Sequence, residues 1–191
     1  AVKENVNLMI ILNDNGFAIS PGFGGLHDHL ENITQNNIFT MLGYNYHGVL
    51  DGHDSISLSK KFDEIHVTGG VHFVHLKTKK GHRYDPAFNH PVKMHYSFPF
   101  DIEDGSPLGN SNEKPFQAYA ADAILESMHH DKNISAITPS TLYATDLERV
   151  FKIFPDRCFD PGMEEQHAMS MACGMARAGI YPVVFYQSTF L

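Results

Sequence analysis

A run of five apolar residues, Leu8–Leu12, constrains the fold of this chain more than any other feature of its sequence. The run is too short to span a membrane, and it has the length of a strand that is buried on both faces of a parallel sheet. Asn13, Asp14, Asn15 and Gly16 follow it directly. Because ligands of open α/β sheets bind beyond the carboxyl ends of the strands, we expect a functional site here.

These polar residues have two possible roles. Side-chain oxygens of Asn and Asp, joined by a backbone carbonyl, suit a hard cation such as Mg²⁺ that also holds phosphate oxygens. The same residue types favour plain turns, because their side chains bond to the backbone two residues further on. The residues of the turn, taken by themselves, leave both interpretations open.

Strand-like and helix-like segments alternate through the first half of the chain. Further strands are predicted at 44–50 and 71–76. Helices are predicted at 27–33, at 36–42 and after Asp54, which is placed to cap the third helix. Such an alternation predicts an α/β fold built on a parallel sheet.

A stretch from Gly81 to Pro115 interrupts this alternation. It contains five prolines and no sustained period, which predicts an ordered crossing loop or a linker between domains. Beyond it the alternation resumes. Helices are predicted at 116–130, 147–154 and 162–178, and strands at 133–138, 157–160 and 181–186.

The composition argues against several classes of function. The formal charge is −8 without a cluster of Lys and Arg, so we expect no nucleic-acid partner. No apolar segment has the length of a membrane span, so we expect no membrane partner. Cys158 and Cys173 have no metal-binding spacing and are predicted to be small buried residues of a reducing compartment. The thirteen histidines lack an HExxH pattern, and we expect most of them at the surface or in loops.

The two ends of the sequence differ from ordinary domain boundaries. The sequence starts at Ala1 without a methionine, and Phe190 and Leu191 come just after an apolar, strand-like run. Domain ends usually carry polar residues that fray. We therefore expect this chain to be part of a larger protein.

Six short motifs follow one another in a distinctive order along the chain. They are Leu12–Asn15, Asp51–Asp54, Thr78–Gly81, Phe154–Arg157, Glu165–Ala168 and Ser188–Leu191. In this order they resemble the 1-deoxy-D-xylulose-5-phosphate synthases, which are thiamin-diphosphate enzymes of the transketolase group. The resemblance covers nearly the whole chain. It implies the end of a diphosphate-binding module over residues 1–100, a linker over 101–114 and the start of a pyrimidine-binding module over 115–191.

The resemblance also implies cofactors, a reaction and a partner. The cofactors are thiamin diphosphate and Mg²⁺, and the reaction joins pyruvate to glyceraldehyde 3-phosphate with loss of CO₂. This reaction begins the non-mevalonate route to isoprenoids and supplies precursors of thiamin and pyridoxal. The complete protein is expected to be a homodimer in the cytoplasm, or in the plastid of an organism that has one.

Two residues match the family at the pyrimidine ring of the cofactor. Glu165 resembles the carboxylic group that bonds to the far ring nitrogen, so that the ring's own amino group can take the proton from the reactive thiazolium carbon. Phe190 resembles the aromatic residue that packs on the ring. Without the resemblance, Glu165 is an acid favoured in the first turn of a helix, and Phe190 is a core residue.

Four residues match the family elsewhere in the site. Asn15 resembles the side-chain ligand of Mg²⁺, and Phe17 the residue whose backbone carbonyl is a second ligand. A third ligand, the Asp of a Gly-Asp-Gly sequence, lies upstream in the family and does not occur in this chain. Lys80 and His95 resemble basic residues that stabilise phosphate or carboxylate charge and move protons. Their simpler alternatives are a solvated charge and a loop histidine.

The sequence departs from the family at several positions. Gln187 stands where the family has a tyrosine facing the cofactor, and Tyr186 should face the other way because strand side chains alternate. The loop 140–146 lacks the usual Gly and Arg, and little remains of a long segment between Leu30 and Phe39. Two alternatives stay open: another transketolase-like enzyme, such as pyruvate dehydrogenase, and a non-catalytic remnant that only binds a partner.

Overall fold

A computed structural model describes residues 2–4, 6–109 and 113–190. Within these ranges the chain forms two compact units. The first comprises Ala1–Phe17 and Pro21–Pro91, and the second Ala18–Ser20 and Val92–Leu191. Each unit has a three-stranded sheet whose strands are all parallel, with helices between them. The predicted α/β fold with parallel sheets is therefore confirmed, whereas module boundaries near residues 100 and 115 stay a prediction.

The first unit alternates strands and helices as the sequence predicts. Its elements are β1 (Leu8–Asp14), α1 (Gly25–Glu31), α2 (Ile38–Met41), β2 (Asn45–Asp51), α3 (Ser55–Thr68), β3 (Val71–Lys77) and α4 (Asp85–Asn89), and the sheet order is β1-β3-β2. The carboxylate of Asp54 accepts a hydrogen bond from the backbone N–H of Ser57 at 3.1 Å. The cap predicted for α3 is therefore confirmed.

Strand β3 is the centre of the first sheet, and all its residues from Val71 to Leu76 are buried. Val74 and Leu76 pack against Ile65 of α3. Phe73, which points to the opposite face, stacks on Phe39 with 3.7 Å between the ring centroids. Both faces of this strand are therefore covered.

Strand β1 lies at an edge of the same sheet, so the prediction that Leu8–Leu12 is buried on both faces is wrong. Leu8, Met9 and Ile11 are 41%, 36% and 46% exposed. Within the described part of the chain, β1 pairs with β3 alone. A short apolar run has the same composition in an edge strand and in a central one, and only the strand order distinguishes the two.

We expect this exposed edge to make the chain self-associate at micromolar concentration, because unpaired backbone groups beside apolar side chains invite pairing with a second copy. Ile11→Lys places a charge on the edge and should reduce the association, whereas Ile11→Val should not. Dynamic light scattering of the three proteins at equal concentration measures the effect. A monodisperse wild-type monomer with a cooperative thermal transition would contradict the expectation.

The second unit is built around a short central strand. Its elements are α5 (Phe116–His130), β4 (Ile134–Ile137), α6 (Glu148–Ile153), β5 (Cys158–Phe159), α7 (Glu165–Arg177) and β6 (Tyr181–Val184), and the sheet order is β5-β4-β6. Ala121, Ile124 and Met128 lie on one face of α5 and form a core with Leu147 and Val150. Helix α5 has the predicted bounds, and the other strands and helices that the sequence predicts differ from their predicted bounds by at most three residues at either end.

The stretch from Gly81 to Pro115 is more regular than predicted. It contains α4 and a 3₁₀ turn at Lys93–His95. Pro86 is compatible with α4 because it stands in the first turn, where its missing N–H has no partner within the helix. Within the described ranges, none of the helices combines the length and the apolar character that crossing a membrane requires.

The two cysteines have different environments. Cys158 is buried in the core of the second unit, and burial raises the pKa of its thiol to about 11. Cys173 is exposed, so the prediction that both are buried is wrong for Cys173. It follows the buried Ala172 on α7, and neighbouring helical residues point about 100° apart.

Candidate active site

The polar residues at the carboxyl end of β1 form a tight turn. Asp14 Oδ1 accepts a hydrogen bond from the backbone N–H of Gly16, and Asn15 Oδ1 accepts one from that of Phe17, both at 3.0 Å. Gly16 has a φ of +74°, which residues with a side chain rarely adopt. These are the bonds of a plain turn. Asn15 is half-buried, and an amide oxygen that accepts one hydrogen bond keeps a second lone pair for another partner.

Next to this turn, three buried polar side chains bond to one another across the first sheet. His75 of β3 is fully buried, with Nε2 2.9 Å from Asp14 Oδ2 and Nδ1 3.0 Å from the hydroxyl of Tyr46 in β2. Lys77 Nζ also lies 3.0 Å from Asp14 Oδ2 and forms an ion pair with Glu31 of α1. We call Tyr46, His75 and Asp14 the buried polar chain.

Charge in the buried polar chain is concentrated on Asp14. Burial by itself favours the neutral acid, but hydrogen bonds from His75 and Gly16 outweigh it, so the pKa of Asp14 is lowered. Burial raises the pKa of Tyr46, and the nearby negative charge of Asp14 acts in the same direction. Asp14 is therefore an anion and Tyr46 a neutral hydroxyl at neutral pH.

We predicted no role for His75 from the sequence, because we expected most histidines at the surface or in loops. The only signal was its position between Val74 and Leu76 in an apolar strand. A polar residue in the middle of such a strand must find a partner inside the protein. That rule predicts a buried hydrogen bond but does not name Asp14 as its partner.

Two of the predicted site residues contact each other beside the turn. The Nζ atom of Lys80 lies 5.3 Å from the ring centroid of Phe17, within the range of a cation–π contact. Burial lowers the pKa of Lys80, because desolvation disfavours the ammonium form. Asn15 bonds to Phe17, and Phe17 contacts Lys80. The structure therefore brings together the three residues that we matched to the diphosphate end of the cofactor.

The two metal ligands that we predict at this turn are neutral oxygens, unlike the carboxylate of Asp14 beside them. Among the described residues, no group of three or more His, Cys, Asp or Glu side chains is placed to hold a metal ion. The predicted ligands are the amide oxygen of Asn15 and the backbone carbonyl of Phe17. Oxygen ligands of this kind fit Mg²⁺ when phosphate and water complete its shell, as Mg²⁺ prefers.

The second unit contains a cavity of about 840 Å³, a size that accommodates a small molecule. Most of its wall comes from residues 92–107, from the loop after β4 and from residues 187–190, and Ile19 and Gln117 of α5 complete it. Residues with polar or aromatic groups in this wall include His95, Gln117, Ser140, Tyr143, Gln187 and Phe190. The structure thus brings two predicted site residues, His95 and Phe190, to one cavity.

Glu165 is the first residue of α7 and is half-buried, whereas its neighbour Glu164 is exposed. Glu165 does not belong to the wall of the cavity. Its backbone carbonyl accepts a hydrogen bond of 2.7 Å from the hydroxyl of Tyr186. Tyr186 therefore points to α7 while Gln187 lines the cavity, which confirms that the two residues face different ways.

One carboxylate fixes the loops around the cavity. Asp160 Oδ1 accepts hydrogen bonds from the backbone N–H groups of Ser140 at 2.8 Å and Gly162 at 3.0 Å, and Oδ2 accepts one from the hydroxyl of Ser20 at 3.1 Å. Ser140 has a φ of +53°, and its buried Oγ has no hydrogen-bond partner among the described residues. Asp160 thus holds the backbone of a residue that lines the cavity.

The predicted site residues fall into two groups. Asn15, Phe17 and Lys80 belong to the first unit, and His95, Glu165 and Phe190 belong to the second. Leu191, the last residue of the final motif, lies outside the described residues. The functional roles that we assigned to the six residues stay predictions.

Comparison with known proteins finds similar enzymes in several bacteria. The 1-deoxy-D-xylulose-5-phosphate synthase of Methylobacillus flagellatus is 31% identical over 225 residues, which cover 98% of this chain. That of Aquifex aeolicus is 32% identical over 222 residues and 96% of the chain, and that of Vibrio vulnificus is 31% identical over 224 residues and 97% of the chain. Over nearly all of its length, the chain is homologous to 1-deoxy-D-xylulose-5-phosphate synthases. The resemblance based on six motifs is confirmed, although no family model matches the chain.

The chain spans little more than a third of the length of these relatives, namely 37%, 35% and 36%. The alignment with the Methylobacillus flagellatus synthase has 225 positions, more than the 191 residues of the chain. That synthase therefore has residues in the matched stretch for which this chain has none. A matched stretch that is shorter in this chain than in the synthase is what we expect from the short segment between Leu30 and Phe39.

Proposed function

We propose that this chain supplies part of the active site of a 1-deoxy-D-xylulose-5-phosphate synthase, a thiamin-diphosphate-dependent transferase of the transketolase type. The observation that carries the proposal is 31% identity over 98% of the chain to an enzyme of that name. In the complete protein, pyruvate and glyceraldehyde 3-phosphate are the substrates, and CO₂ is released. A requirement for Mg²⁺, a homodimeric assembly and a cytoplasmic location belong to the same proposal.

The turn after β1 is assigned to the diphosphate end of the cofactor. The amide oxygen of Asn15 and the backbone carbonyl of Phe17 would hold Mg²⁺, and the turn that Asp14 and Gly16 form would orient them. Lys80 would place its ammonium group beside phosphate or carboxylate oxygens. Its half-buried position supports this role, since a charge interacts more strongly where water is excluded.

The second unit is assigned to the pyrimidine end and to the substrates. When bound, thiamin diphosphate supplies carbanion chemistry at its thiazolium ring. Glu165 would hold a proton at a nitrogen of the pyrimidine ring, and Phe190 would pack on that ring. His95 would move a proton at a substrate oxygen. The cavity that His95 and Phe190 share supports the last two assignments.

The proposal is tested with a chimera in which this chain replaces the matched stretch of the Aquifex aeolicus synthase. We expect the chimera to convert pyruvate and glyceraldehyde 3-phosphate to 1-deoxy-D-xylulose 5-phosphate and CO₂ in equal amounts. The unaltered synthase is the control for activity, and circular dichroism with thermal unfolding is the control for folding. A folded chimera that binds thiamin diphosphate and makes no product would contradict the proposal and indicate a non-catalytic role.

A further inference from the structure

The buried polar chain crosses the whole first sheet. Tyr46 lies in β2, His75 in the central strand β3 and Asp14 at the end of β1, with exposures of 9%, 0% and 8%. Two hydrogen bonds of 2.9 and 3.0 Å join them. The buried polar chain ends at the carboxylate of Asp14, which closes the turn around Asn15. It therefore connects the middle of the sheet to the candidate diphosphate site.

The direction of these hydrogen bonds follows from the groups involved. An ionised Asp14 only accepts, so Nε2 of His75 must carry a hydrogen and donate it. In a neutral imidazole Nδ1 then accepts, and the hydroxyl of Tyr46 is its donor. Each of the three buried side chains thereby has a partner, as buried polar groups require. His75 is the only member that bonds to both of the others.

The packing around His75 leaves little room for another arrangement. A Cβ atom on Gly48 would lie 2.8 Å from the Cβ atom of His75 and 2.8 Å from the hydroxyl of Tyr46, closer than such atoms approach in proteins. Gly48 therefore lets the backbone of β2 pass directly over this hydrogen bond. An apolar residue at position 75 would leave Tyr46 without this acceptor and Asp14 without one of its donors.

We propose that His75 is a positioning residue: through its hydrogen bond to Asp14 it fixes the turn that presents Asn15. The two oxygens of Asp14 have separate tasks. Oδ2 is held by His75 and Lys77, and Oδ1 accepts the N–H of Gly16. Holding one oxygen fixes the direction of the other, and with it the backbone on either side of Asn15. The role of Asn15 as a cofactor ligand rests on the proposed function, whereas the effect of His75 on the turn does not.

The test compares two buried histidines of the same strand. His72 is 3% exposed and bonds to His47 at 2.8 Å and to the carbonyl of Gly69 at 2.7 Å, at the opposite end of β3 from the turn. His75→Leu and His72→Leu therefore remove the same chemical group from the same strand. Only His75→Leu should release the turn.

The measurement is amide hydrogen–deuterium exchange of the segment 13–17, which is detected by mass spectrometry at a low micromolar concentration of protein. The exchange rate of each variant is scaled to its unfolding rate. His75→Leu should speed exchange at Gly16 by about tenfold or more, since a hydrogen bond to a charged group is lost. His72→Leu should leave it unchanged. His75→Gln, whose amide nitrogen can replace Nε2, should restore protection to within about threefold.

A milder variant keeps the test valid if His75→Leu does not fold. Tyr46→Phe removes only the outer hydroxyl, and it should fold and speed exchange at Gly16 by about threefold. Equal effects of His75→Leu and His72→Leu on the turn, or no rescue by His75→Gln, would overturn the proposal and make His75 an ordinary core residue. No cofactor enters these measurements, so their failure is distinct from a failure of the proposed synthase activity.

Discussion

Glu165→Gln is expected to lower kcat of the chimera by roughly 10²–10⁴-fold, the usual cost of removing a positioned acid–base group. Glutamine keeps the size of the side chain and much of its hydrogen bonding but cannot hold the same proton. The KM values for the two substrates should change little, because the proposed contact is made to the cofactor and acts in the chemical steps.

Glu164→Gln is the matched control, since it makes the same chemical change one residue earlier. Glu164 is exposed and precedes α7 as its N-cap residue, whereas Glu165 is half-buried and is the first residue of the helix. Glu164→Gln should therefore be nearly silent. The measurement that separates them is hydrogen–deuterium exchange at the reactive thiazolium carbon, followed by NMR in both variants. Equal exchange rates would mean that the catalytic role of Glu165 is wrongly assigned.

The 191-residue chain by itself is expected to bind thiamin diphosphate and Mg²⁺ weakly or not at all. Its sequence contains no Gly-Asp-Gly motif, so of the two side-chain ligands that the resemblance implies only Asn15 is present. A lost ligand that costs about 4 kcal/mol would move a micromolar Kd to the millimolar range. Isothermal titration calorimetry with Mg²⁺ in excess measures this affinity.

The chimera serves as the positive control for that titration, because it restores the upstream sequence. Asn15→Ala in the chimera should weaken Mg²⁺-dependent binding of thiamin diphosphate. Asn13→Ala should not, since the Asn13 side chain accepts a hydrogen bond from the hydroxyl of Thr78 and has no assigned ligand role. Micromolar, Mg²⁺-dependent binding by the chain without the upstream sequence would show that the turn is sufficient and would contradict the expectation.

The fold could be predicted from the sequence wherever local signals decide the structure. Helix α5 has its predicted bounds because its apolar residues follow the helical period, and α3 begins where Asp54 can cap it. The burial of β1 could not be predicted in this way. Strand order depends on contacts between distant segments, and an apolar run fits an edge as well as a centre. The exposure of Cys173 was missed for a related reason, because a lone cysteine does not reveal which face of a helix it occupies.

The candidate site could be predicted in part. The resemblance to the family named Asn15, Phe17 and Lys80, and the contacts among these residues place them together. The resemblance also named His95 and Phe190, but the sequence did not predict that both line one cavity, because the turn at Lys93–His95 lies in a stretch without a regular pattern. His75 was missed because its importance depends on Asp14, which is 61 residues away in the chain.

The anchoring of residue 140 by Asp160 bears on how this loop can evolve. Asp160 binds the backbone N–H of residue 140, a group that every amino acid except proline provides. The hydrogen bond itself therefore does not depend on the side chain, although the φ of +53° at residue 140 disfavours β-branched residues there. Other side chains of the loop 140–146 can change without removing this hydrogen bond, so its first residue can keep its place at the cavity. The position of the loop's first residue thus depends on Asp160, while the side chains that follow it in the cavity wall can differ and so change which ligands fit.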